Sequence, residues 1–213
     1  KNDLGRFGLG LKTASFSQCT KLTVVSKKDG VVSAKQWDLD LISKTNEWQL
    51  ITPEADELET LPLIDELRKQ KKGTLVVWQD IDRYKKDSFV NEIDKLRNHL
   101  ALVFHRFLEA KFKPLKIFVN NNQLKSFDPF NSSHTATQEG TEEQIKLFKS
   151  KITVVPYILP HHSKLSQQEY ERYATEDGYT KSQGFYLYRS NRLLIHGTWW
   201  GLHRAIDAHK LVR

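Results

Sequence analysis

The chain has 213 residues, a formal net charge of +7 and 38% hydrophobic residues, enough apolar material for a real core in one large domain or two modest ones. No run approaches the roughly 18 apolar residues of a membrane span, and no secretory h-region follows the charged N-terminus, so neither membrane insertion nor export is expected. The single Cys19 excludes an internal disulfide and a cysteine-only metal site, which points to a reducing cytoplasm. The chain opens on Lys1 and contains no Met, so it reads as a piece of something longer. Its basic balance favours polyanionic partners, although runs such as Lys69-Gln70-Lys71-Lys72 and Lys85-Lys86 have the ordinary look of solvated loops.

The first element is the glycine-rich run Gly5-Arg6-Phe7-Gly8-Leu9-Gly10, which leads into a helix predicted over 11–18. Glycines let a backbone approach an anion, the first helical turn offers unpaired N–H groups, and Lys12 adds a mobile cation. Spacing separates the competing phosphate-binding signatures. A P-loop needs Gly-Lys-Ser/Thr contiguous, and Leu11 intervenes. A dinucleotide fingerprint needs a third glycine where Thr13 stands and a strand beforehand, and "KNDLGRFG" holds none. A turn that merely caps the helix is the plain structural reading.

The β-branched run 21–27 predicts a strand, Asp29-Gly30 a hairpin turn, and 31–42 and 47–52 two further strands of an antiparallel sheet. Pro53 and an acidic stretch make a connection with one helix, and Gly73 opens another strand. Residues 87–113 give the clearest helix signal, with Phe89, Ile93, Leu96, Leu100, Val103 and Phe107 on one stripe that should lie across the sheet. Pro114 stops it. Two short strands surround Asn120-Asn121-Asn122, and 131–143 reads as a linker. A strand over 151–159, a polar helix over 165–173 and a hairpin turning at Ser190-Asn191 complete the chain. The fold class is α/β, with domains expected at 1–112 and 113–213.

"LGRFGLGLKTASFSQCTKLTVVSK" resembles the ATP-lid segment of the GHKL ATPases, the group of gyrase B, the ninety-kilodalton heat-shock chaperone, histidine kinases and MutL. It is most similar to bacterial histidine-kinase-like ATPases and to the microrchidia proteins. The resemblance implies phosphate binding at Gly5, Phe7, Gly8, Leu9, Gly10 and Leu11, with Lys12 and Thr13 contributing side chains. "KKGTLVVWQDID" resembles the family's later Gly-Thr strand, which makes Thr74 the candidate adenine-site threonine. The segments "KIFVNNNQLKSFDPF" and "QGFYLYRSNRLLIHGTWWGL" resemble the transducer-like domain of the heat-shock and microrchidia branches, and Lys164 is a weaker candidate for its γ-phosphate sensor.

The resemblance thus implies ATP and magnesium as cofactors, hydrolysis coupled to lid closure, and a homodimer; DNA is a further candidate partner, on the +7 charge and the aromatic-basic tail. The family's catalytic glutamate, magnesium-binding asparagine and Asp-x-Gly would all precede Lys1. Two alternatives stand beside it: a nucleic-acid-binding or scaffold module without ATPase activity, and chaperone-like client handling. His161-His162 lacks further ligands at metal spacing, and Trp199-Trp200 with His203 and Arg204 suits either packing or base stacking. Ser15, Ser17 and Cys19, in or beside the helix after the glycine run, have no histidine nearby in sequence.

Overall fold

The structure is a computed structural model that describes residues 9–82, 89–174, 179 and 182–201. It is α/β, and its contacts group into two compact units that part between Ser88 and Phe89.

The N-terminal unit is built on an antiparallel sheet in the order β2-β1-β3, from Cys19–Lys28 (β1), Val31–Asp38 (β2) and Gly73–Ile81 (β3). The β1–β2 turn falls at Asp29-Gly30, with φ of 51° and 81°, the left-handed pair that a tight hairpin requires. Val25, Ala34 and Val77 pack with Leu61, Ile64 and Leu67 into one core, each buried aliphatic chain contributing about 1.5–3 kcal/mol. The last three come from a connection that folds as two helices, Ala55–Glu59 (α3) and Ile64–Lys69 (α4), where one was expected. Arg68 pairs with Glu59 across them.

Two strand expectations fail in this unit. The strand expected over 31–42 stops at Asp38, whose carboxylate accepts from Asp40 N and Leu41 N and so caps a helix, Leu39–Thr45 (α2). Capping satisfies two orphan amides and outweighs the alternating pattern of "DLDLI". Of the strand expected over 47–52, only a bridge from Ile51 to Gln36 forms. The helix expected after the glycine run is Gly10–Phe16 (α1), displaced slightly from 11–18.

In the C-terminal unit the long helix is interrupted: Phe89–Val103 (α5) gives way at Phe104 to His105–Leu108 (α6). The sequence reading set the domain boundary at 112/113 and laid this helix on the first sheet; here it groups with the C-terminal unit and contacts the strand Arg192–Thr198 (β11). Its stripe is buried at Val103, while Phe89 and Leu96 remain exposed.

Phe118–Val119 (β4) and Asn122–Gln123 (β5) pair around Asn120 and Asn121, both at positive φ. The segment 131–143 is not a linker. The Asp128 carboxylate gathers Phe130 N, Ser132 N and the Ser132 hydroxyl, and Gln138–Glu139 (β6) pairs with Tyr157–Ile158 (β9). Polar side chains that serve the backbone look like a solvated tether in composition, yet here they build a turn.

Between those strands rises a hairpin of Glu143–Leu147 (β7) and Ser150–Val154 (β8), the former unanticipated. Gln167–Tyr173 (α7) starts from a Ser166–Glu169 capping box. Phe185–Arg189 (β10) pairs with β11 through Ser190 and Asn191, at φ 48° and 65°, as their sequence demands. Leu159, Tyr173 and Tyr179 form this unit's core cluster, and Tyr179 donates its hydroxyl proton to the Pro160 carbonyl at 2.8 Å.

Candidate functional site

Side chains alternate across a strand, and residues directly opposite in an antiparallel pair share a face. The register therefore sorts the N-terminal sheet into two surfaces. Leu22, Val24 and Ser26 of β1 lie with Trp37, Lys35 and Ser33 of β2 and with Trp78, Val76 and Thr74 of β3. Lys21, Thr23 and Val25 lie on the other side, against α3 and α4.

Helix α1 belongs to the first of these faces. Trp78 Nε1 donates to Ser15 Oγ at 2.8 Å, and the Lys12 ammonium stands 5.0 Å from the centroid of the Trp37 ring. Phe16 meets Trp48 edge-on, and Trp48 in turn lies beside Trp37. Ser15 is fully buried, and its carbonyl accepts from the Cys19 thiol at 3.2 Å. Burial pushes that thiol up from its ordinary range, so Cys19 is a packing residue rather than a nucleophile.

Thr74 shares this face, four residues along β3 from Trp78 and so roughly 13 Å away. Its hydroxyl lies 3.4 Å from that of Ser26. Between Thr74 and α1 the strip is apolar and open: Val76 is 40% and Trp78 42% exposed. The arrangement offers a flat hydrophobic bed with hydroxyls at one end and a cation at the other. A planar heterocycle with an anionic tail is the matching shape of ligand.

Of the candidate phosphate contacts, Gly5, Phe7 and Gly8 lie outside the described residues. Leu9 precedes the helix with no side-chain cap, and Gly10, Leu11, Lys12 and Thr13 form its first turn, whose leading amides lack acceptors within the helix. Among the described residues, a Cβ placed on Gly10 would meet nothing within 4 Å, so none of them fills the space beside it. The Thr13 hydroxyl donates to the Leu9 carbonyl at 3.1 Å, leaving Thr13 only lone pairs for a ligand unless that bond breaks. Lys164 ends a 3-10 turn, His162–Lys164, in the C-terminal unit, where it is exposed.

No local pattern signals the Ser15–Trp78 bond or Trp37 under Lys12, because these contacts span 63 and 25 positions. A cavity of about 210 Å³ lies on the opposite face, lined by Lys21, Thr23, Gln36, Glu57 and Gln79 among others. Gln36 Nε2 donates to Thr23 Oγ1, which donates to Gln79 Oε1. It contains none of the predicted site residues.

Among the described residues no group of three or more His, Cys, Asp or Glu is arranged to hold a metal. Trp199 and Trp200 both pack on Phe185, at 5.4 and 5.2 Å between centroids, while His203 and Arg204 lie outside the described residues. No described helix is long and apolar enough to cross a membrane.

No curated protein sequence matches the chain. Residues 1–74, of 213, match the family model described as histidine kinase-, DNA gyrase B-, and HSP90-like ATPase. That segment holds the glycine run, α1, β1, β2 and the first residues of β3 through Thr74, and the match supports the GHKL superfamily of ATPases for residues 1–74.

Proposed function

We propose that the N-terminal unit binds ATP on the sheet face that carries α1 and Thr74. The observation that carries this reading is the shared face: the helix bearing Lys12 and the threonine of the Gly-Thr strand lie 62 positions apart in sequence, yet they border one open apolar strip, within a segment that matches an ATPase family model. In this reading the adenine ring lies on Val76 and Trp78 near Thr74. The phosphates extend toward the first-turn amides of α1, where the backbone of Gly5, Phe7, Gly8, Leu9, Gly10 and Leu11 and the side chains of Lys12 and Thr13 receive them. Lys12 leaves the Trp37 ring to do so, exchanging a cation–π contact of about 0.5–1 kcal/mol for a charge-assisted bond of about 1.5–3 kcal/mol.

Magnesium accompanies the nucleotide in this reading. We propose hydrolysis for a longer parent that supplies a glutamate as general base, in the cytoplasm, with the N-terminal unit as the ATP-binding part and the C-terminal unit, which takes in α5 and α6, as a transducer-like part whose Lys164 senses the γ-phosphate. Closure of the lid would then favour a homodimer. The bacterial and microrchidia-like branch of the superfamily is the affiliation we propose.

Calorimetric titration of the chain with magnesium-ATP tests the site. Lys12→Ala should weaken binding roughly tenfold or more, and Thr74→Val several-fold. Absence of any heat of binding by the unaltered chain, or unchanged affinity in both variants, would overturn the proposal.

A further inference from the structure

Every residue of β7 and β8 is exposed. A two-stranded ribbon is marginal without something to cover it, and the register shows how this one is divided. Ile145, Leu147, Ile152 and Val154 line one face, while Gln144, Lys146, Lys151 and Thr153 line the other. Lys146 stands directly opposite Lys151, a like-charge pairing that works against the hairpin. Lys149 occupies the turn beside Phe148, which is 99% exposed at φ 52°. Among the described residues none of these three lysines has an ion-pair partner. The neighbouring acids, Glu142 and Glu143, sit at the root of the ribbon, so charge is sorted along its length.

We propose that this hairpin is a contact surface for duplex nucleic acid, independently of the ATP reading. Three ammonium groups crowded at one tip match a polymer that presents one negative charge per about 1.7 Å of axis. A two-stranded ribbon fits a major groove about 12 Å wide, and Gln144 and Thr153 extend the lysine face with groups that hydrogen-bond phosphates or base edges. Phe148 leads the tip as an apolar group suited to the thymine methyls of that groove. A second copy of the chain is a poor occupant, because pairing two such tips would bring six unpaired lysines together. An anionic bilayer would satisfy the lysines and Phe148 but makes no use of the amide and hydroxyl on the same face.

The test is anisotropy of a fluorescein-labelled 20-base-pair duplex titrated with the chain at several salt concentrations. K146E/K151E should lose at least tenfold in affinity at low salt and flatten the log-affinity against log-salt slope by about two. F148A should lose several-fold at unchanged slope. K71E/K72E, which removes the same charge from a loop elsewhere, should lose distinctly less than K146E/K151E. All these positions are exposed, and unchanged circular dichroism verifies the fold. No binding by the unaltered chain, or equal losses in the two double variants, overturns the proposal. So does binding to phosphatidylserine vesicles that depends on Phe148 while duplex binding does not respond to K146E/K151E.

Discussion

The indole of Trp78 donates its proton to the hydroxyl of Ser15 at 2.8 Å, and this bond ties the helix that follows the glycine run to the edge strand β3. Ser15 is fully buried while Trp78 is 42% exposed, so water can reach the indole only in part once the hydroxyl is removed. Ser15→Ala should therefore cost about 1 kcal/mol, read in thermal unfolding as a fall of about 2–4 °C. An unchanged midpoint would show that the bond does not hold the helix in place.

Gly10 separates stability from ligand binding. No positive φ demands glycine there and, among the described residues, a Cβ meets nothing, so Gly10→Val should leave the unfolding midpoint within about 2 °C, since valine is no worse a helix former than glycine. The added isopropyl group enters the open space beside the first turn. If phosphates occupy that space, ATP affinity falls about tenfold with the fold intact. Calorimetry and thermal unfolding on the same sample measure both quantities.

Acid should weaken the C-terminal unit. His105 is 3% exposed, its Nε2 lies 2.8 Å from the Tyr188 hydroxyl, and its Nδ1 is buried without a partner. Burial holds the imidazole below its usual range; Arg106 lowers it further, while Asp128 and Glu109 act in the opposite sense. The folded state thus prefers the neutral ring. Its stabilisation is complete above the unfolded value of about 6.5 and is lost as pH falls from there toward the depressed folded value. His105→Gln should flatten the dependence of the unfolding midpoint on pH between about 7.5 and 5.5 relative to the unaltered chain, and parallel curves would refute this. His196, lowered by partial burial and by His99, contributes equally to both curves.

Gly184 should tolerate no side chain. Its φ is +128°, and a Cβ would lie 2.7 Å from the backbone of Thr198, the residue paired with Phe185. Because backbone cannot yield as a flexible side chain can, Gly184→Ala should cost at least about 2–3 kcal/mol. Denaturant unfolding measures the loss, and Gly30→Ala, strained in φ but sterically open, should cost less.

The parts legible in the sequence are those whose cause is local. Asp29-Gly30, Asn120-Asn121 and Ser190-Asn191 each adopt the left-handed turn that their side chains permit, and Ser166 with Glu169 announces its helix. The errors arise where one local signal overrode another: Asp38 converts an alternating run into a helix, and Asp128 turns a polar stretch into a built corner. The α5 stripe was legible as a helix, but periodicity names a buried face without naming what covers it. For the candidate site, the glycine run and Thr74 were visible as separate motifs, whereas their common face depends on strand register, which no single window of sequence contains.

The central strand of the N-terminal sheet makes odd and even positions answer to different demands. Thr23 and Val25 face helices that this same chain provides, so their constraints are met by mutual fit within about fifty neighbouring residues. Leu22, Val24 and Ser26 face α1 and the open strip instead. A single-residue insertion in β1 would transpose the two sets, turning Val25 out of the core toward the open strip and Ser26 toward the helices, so this ten-residue stretch should accept substitutions far more readily than any change in its length.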